Sequence, residues 1–202
     1  MSKEDQEHPQ SGVSPTMEYI DTYLAETGQI IQAIDRNSIA KAIEILRAVR
    51  QNNGCLYILG VGGGAGNASH AVNDFRKIAG IKSYAPTDNV SELTAWVNDV
   101  SWEAVFENWL QVSRPKPEDC LLIFSVGGGS ERTSQNLVRA MEYARQQGSH
   151  IISVVSRDGG HAGKISDACI LIPVVSGARI TPHCEGWQAV VWHLMVNALT
   201  LE

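Results

Sequence analysis

With 202 residues, 44% of them hydrophobic and 19% charged, the chain has the length and composition of one globular domain with an ordinary core. A net charge of -6 sets aside a nucleic-acid or anionic-membrane binder, since both need a basic face, yet it leaves room for a small anion held by backbone amides. No apolar run approaches the ~20 residues of a membrane span and no signal-like segment opens the sequence, so a cytosolic protein is expected.

Residues 1–16 are polar and read as a disordered leader, with a single domain over 17–202. Apolar residues then recur at helical spacing from Met17 to Ile34, and again from Ile39 to Val49 behind a plausible cap at Asn37-Ser38. Strands are expected at Cys55–Leu59, Ile81–Ala85, Cys120–Phe124, His150–Val155 and Ala168–Val175, short apolar runs of the kind a sheet buried on both faces requires. Helical patterns separate most of them, at Asn67–Lys77, Val90–Asn98, Trp102–Val112 and Glu131–Gln146. A last helix is expected from Thr181-Pro182 to about Leu199, the hydroxyl as cap and the proline in the first helical position. This alternation predicts an α/β fold with a parallel sheet covered on both faces.

Two glycine turns follow apolar strands: Gly60-Val61-Gly62-Gly63-Gly64-Ala65 and Ser125-Val126-Gly127-Gly128-Gly129-Ser130. Each brings backbone N–H groups and a helix N-terminus to one spot, which is how a chain with few cations holds a phosphate. Two such turns in one domain are a more specific signal than one. Ser130 reads equally as a helix cap, and Asn98-Asp99 reads as a helix stop or as a polar contact to a sugar. The first turn formally fits the dinucleotide fingerprint, but the acid expected about 20 residues on falls beyond the next strand, and no P-loop occurs.

His70 and Asp74, four apart, share one helix face and can hold a metal, pass protons or merely form a surface hydrogen bond. The last helix adds Glu185 and His193, with His183 and Cys184 beside the glutamate; eight residues is ~12 Å along a helix, far for two ligands of one ion. His193 alone reads as a core histidine and Glu185 as a first-turn acid. Cys55, Cys120 and Cys169 lie in apolar runs, and no CxxC spacing occurs.

In this order the motifs resemble those of the sugar isomerase (SIS) domain family, nearest its phosphoheptose isomerases, over roughly Ile39 to Leu199. That resemblance implies a three-layer, flavodoxin-like fold with a five-stranded, mostly parallel sheet and additional N-terminal helices. It implies zinc or another late divalent metal on His70, Asp74, Glu185 and His193, with Asp74 and His193 as the proton-transferring pair. Ser125, Gly127 and Ser130 would hold the phosphate, while Gly62, Gly63, Gly64, Asn98, Asp99 and Glu185 complete the substrate pocket. The implied reaction converts sedoheptulose 7-phosphate to a D-glycero-heptose 7-phosphate through a cis-enediolate, in a homotetramer with sites at subunit interfaces. The alternative is a non-catalytic relative that senses a sugar phosphate or associates with a replication initiator. It draws on the departures from the family pattern: Val61, Gly64, Gly127 and Gly129 stand where the family carries asparagine or serine, Asp74 stands for glutamate and Glu185 for glutamine. Thr181 to Cys184 forms an insertion after Arg179-Ile180.

Overall fold

The computed structural model describes residues 14–201. Most of the expected leader therefore lies outside the described residues, but Pro15 and Thr16 already belong to α1 (Pro15–Ala33), whose first turn is capped by the Ser14 hydroxyl accepting from the Met17 amide at 3.3 Å. Helix α2 (Arg36–Gln51) starts earlier than its apolar stripe suggests, and its cap is Asp35 rather than Asn37-Ser38: the carboxylate accepts from the Asn37 and Ser38 amides at 2.9 and 3.2 Å.

Five strands form the sheet among the described residues: β1 (Cys55–Gly60), β2 (Lys82–Tyr84), β3 (Cys120–Phe124), β4 (His150–Val155) and β5 (Ala168–Leu171). Their order is β2-β1-β3-β4-β5 and every pairing is parallel, so the sheet is parallel throughout rather than mostly so. β5 ends before Pro173, which has no N–H for the ladder.

Side-chain parity splits the core in two. Leu56, Ile58, Leu122, Phe124, Ile152 and Val154 face the layer of α2, α3 (Gly63–Lys77) and α8 (Ile180–Ala198). Tyr57, Leu59, Leu121, Ile123 and Ile151 face α5 (Val105–Ser113) and α6 (Gln135–Gln146). Between β2 and α5 lie a 3₁₀ turn at Pro86–Asp88 and α4 (Val90–Asp99); the short α7 (Gly160–Ile165) follows β4. The chain leaves β1 toward β2 on one side and reaches β3 on the other, so the crevice of an open α/β sheet falls at the C-terminal ends of β1 and β3.

Three helix starts differ from the periodicity. Glycine amides let α3 begin at Gly63, one turn before its apolar stripe. The Ser130 hydroxyl accepts from the Arg132 and Thr133 amides at 3.3 and 3.2 Å, winding 130–133 into a turn, so α6 begins only at Gln135. α8 begins at Ile180 with no side-chain cap, which puts Thr181 and Pro182 inside its first turn.

α1 docks through Ile30, Ile34 and the buried carboxylate of Glu26. Hydrogen bonds from Arg179, then from His183, hold the Glu26 carboxyl at about 2, against the upward pull of its own burial. A depressed acid stabilises the fold fully above its unfolded value near 4.5, and that contribution is lost as pH falls toward about 2. Acid-unfolding curves should therefore show Glu26→Gln less stable than the parent at pH 6, with the difference shrinking below pH 4.5; a constant difference down to about pH 2 would contradict this.

Candidate active site

Where β1 and β3 end, a cavity of about 200 Å³ is lined by Val61 and Gly64 after β1, Phe124 to Gly127 after β3, Ser134 and Leu137 of the α6 entry, and Glu185 and Gln188 of α8. Within the second glycine turn, Ser125 Oγ accepts from the Gly128 amide at 3.1 Å, and the Gly128 and Gly129 carbonyls accept from the α7 amides of Ala162 and His161, both at 2.9 Å. Gly128 takes a φ of 70°, and a Cβ there would run into the Gly159 carbonyl, so this seam needs glycine.

α3 and α8 lie side by side, and their contacts step along both in the same sense. At the top, a Cβ on Gly63 would overlap the Glu185 carboxylate, so the missing side chain is what seats that acid at the α3 N-terminus. One turn on, Asn67 Nδ2 donates to the Glu185 carbonyl at 3.0 Å and to Gln188 Oε1 at 3.1 Å, and Gln188 Nε2 donates to the Val154 carbonyl at 3.2 Å. Cys184 is buried with its Sγ 3.7 Å from the Ser125 carbonyl; burial pushes its thiol up to about 12, so it is an inert core residue.

About two turns from Gly63 and Glu185, His70, Asp74 and His193 converge. Asp74 Oδ2 is 3.9 Å from His70 Nε2 and 3.9 Å from His193 Nε2, and the three ligand atoms lie within 4.8 Å of one another. The rings of His70 and His193 stand at 88° with centroids 5.4 Å apart, and both pack on the buried Trp192. His193 Nδ1 is 2.8 Å from the Ala189 carbonyl; a carbonyl only accepts, so Nδ1 carries a proton and Nε2 is the nitrogen that faces Asp74. Asp74 Oδ1 accepts from Asn73 Nδ2 at 2.8 Å, leaving Oδ2 for the histidines. The carboxylate is mostly covered, with a side-chain exposure of 14%, whereas His70 and His193 are exposed at 59% and 46%.

The expected site is therefore divided within one chain. Gly64, Ser125, Gly127 and Glu185 line the cavity, with Gly62 and Gly63 opening the helix beside it. Glu185 stands apart from the His70–Asp74–His193 group, as the helical rise between Glu185 and His193 requires. Ser130 faces a neighbouring cleft shared with Gln135, Asp158 and Lys164. Asn98 and Asp99 are exposed at the end of α4, Asn98 Nδ2 donating to Asp99 at 2.7 Å, and line neither space. Sequence reasoning missed Ser134 and Gln188. Ser134 takes a left-handed φ of 53° at the α6 N-cap, while Gln188 betrays itself as a polar residue on the stripe Cys184, Gln188, Val191.

Among the described residues no helix is long and apolar enough to cross a membrane. The SIS domain family matches residues 18–156. Over 164 residues the chain is 30% identical to a phosphoheptose isomerase of Rhodospirillum rubrum, covering 78% of this chain and 82% of that one. It is 28% identical to the lincomycin biosynthesis protein LmbN of Streptomyces lincolnensis over 187 residues, 87% of this chain and 66% of that longer protein. The solved phosphoheptose isomerase GmhA of Neisseria gonorrhoeae superposes with a TM-score of 0.77 at 25% identity, covering 91% of this chain and 98% of that one. A phosphoheptose isomerase of Bordetella avium is 34% identical over 168 residues, covering 79% of this chain and 74% of that one; with the family match spanning well over half the sequence, the chain belongs to the SIS domain family.

Proposed function

We propose that this chain is a cytosolic, metal-dependent aldose–ketose isomerase acting on a sugar phosphate, with residues 17–202 working as one unit and sedoheptulose 7-phosphate as the ketose. Family membership and relatives that are phosphoheptose isomerases support the reaction class. The observation that carries the finer reading is the His70–Asp74–His193 group.

Two imidazole nitrogens and one carboxylate oxygen fit zinc or another late divalent ion, in the three-ligand pattern that leaves a position open. His70, Asp74 and His193 would hold it, and when bound it supplies Lewis-acid polarisation of the ketose carbonyl. The rest belongs to the chain. The Asp74 oxygen not committed to the ion accepts the proton from the carbon beside the carbonyl, the C–H electrons form the enediolate double bond, and a proton returns to the former carbonyl carbon. His193, with Nδ1 tied to Ala189, moves the hydroxyl proton through Nε2 when that nitrogen is free of the ion. Seven residues of α3 separate Gly63 from His70, or ~10 Å, so a substrate touching both the glycine turns and the acid–base group must be an extended chain. Glu185 is a hydrogen-bond acceptor for its hydroxyls on the cavity wall. Exposed Val190 and Leu194 flank the half-exposed His193, and Met17, Ile20 and Leu24 lie bare on α1. Both surfaces suit burial by further copies of the chain, which supports a homotetramer with sites at its interfaces.

The deciding experiment follows, by NMR in deuterium oxide, exchange of a C1 proton of sedoheptulose 7-phosphate and entry of deuterium at C2 of the aldose formed from it. Metal-loaded protein should exchange that proton and form the labelled aldose, and a chelator should stop both. Stoichiometric binding without exchange would replace this reading with the non-catalytic one.

A further inference from the structure

A buried charged cluster outside the site joins the first helix to the last. Glu26 of α1 is 7% exposed and His183 of α8 is 4% exposed. Arg179, at the α8 N-cap, grips the Glu26 carboxylate with two nitrogens, Nε donating to Oε2 at 2.8 Å and a terminal nitrogen to Oε1. His183 Nε2 is 2.7 Å from Oε2, and the Tyr23 ring stacks on His183 with centroids 4.4 Å apart. A bidentate arginine fixes orientation as well as distance. Held at Arg179 and again at His183, one turn on, the start of α8 is tied to α1 at two points.

α8 begins without a side-chain cap, and the clasp holds its first turn through side chains alone. The next residues it delivers are Cys184 under the Ser125 carbonyl and Glu185 over Gly63. No chemistry in the proposed reaction uses Glu26, Arg179 or His183.

We infer that Glu26 is a positioning residue: through Arg179 and His183 it sets the first turn of α8, and thereby places the Glu185 carboxylate on the wall of the cavity. This rests on the sugar-phosphate isomerase reading for its kinetic consequences, not for its structural one.

The test is a double-mutant cycle with Glu26→Gln and Glu185→Gln, run alongside hydrogen exchange of the peptides covering 176–188 and 191–199. Glu26→Gln keeps the side-chain shape but gives up the charge-assisted grip. It should lower kcat/KM for sedoheptulose 7-phosphate by about tenfold to a hundredfold, the cost of a small misplacement. In the Glu185→Gln background the same change should cost less than about twofold, because it acts through Glu185. Exchange should quicken in 176–188 and stay unchanged in 191–199. Arg179→Lys, which retains charge and loses the fork, should reproduce a milder form of each effect and serves if Glu26→Gln does not fold. Multiplicative losses in the cycle would overturn the inference, as would uniform loosening of both α8 peptides or unchanged exchange in the first turn. If the parent protein turns over no sugar phosphate, the isomerase reading fails while the exchange comparison still decides the clasp.

Discussion

Replacing Asp74 by asparagine is expected to lower isomerisation by at least ~10³-fold while leaving the fold intact. The carboxylate is the sole acid of the group and lies 3.9 Å from both imidazole Nε2 atoms, with one oxygen already engaged by Asn73. Asparagine keeps that shape and can still accept from Asn73, but it cannot take a proton from carbon and it binds a cation more weakly. General-base removal alone accounts for ~10²–10⁴-fold. Because the side chain is partly open to solvent and makes no buried ion pair, its loss should change stability by no more than about 0.5 kcal/mol. Parallel thermal unfolding and deuterium-exchange rates check both halves. Unimpaired exchange would remove Asp74 from the chemistry and leave the arrangement without a base.

What could be read from residues alone followed from burial. Leu121 to Phe124 is a continuous apolar run and Ile151 to Val155 is broken only by Ser153, because both faces of the sheet are covered, and such runs need no tertiary knowledge to recognise. Element starts were less legible, because they depend on backbone hydrogen bonds that side-chain patterns do not record. α3 starts on glycines, α6 is delayed by the Ser130 turn, and α8 starts on an arginine committed to Glu26. α7 escaped notice because it is six residues long and buries only Ala162. At the site, the i,i+4 spacing of His70 and Asp74 revealed their shared face, but that His193 would meet them there depends on how α8 lies against α3. The same packing carries Glu185 to the other end of the contact. Glutamate at that position lies beside a glycine that leaves space for it.

Metal affinity separates these two ends. Equilibrium titration with zinc, monitored by competition with a chromophoric chelator, should give one tight site per chain in the parent protein. His70→Ala or His193→Ala should weaken it by ~10²-fold or more, since each removes one of three ligands and, among the described residues, no fourth His, Cys, Asp or Glu belongs to the group. Asp74→Asn should weaken it comparably, because the carboxylate provides the charge that offsets the cation. Glu185→Gln should leave the affinity within about threefold, because its carboxylate is seated over Gly63 and belongs to the cavity. The same variant should raise the KM for the sugar phosphate, through the loss of a charged acceptor for its hydroxyls. A Glu185→Gln protein that lost zinc as completely as His193→Ala would mean that the acid reaches the ion in the assembled protein, across a subunit boundary that one chain does not contain. The affinity of this one variant therefore decides whether Glu185 serves the metal or the sugar.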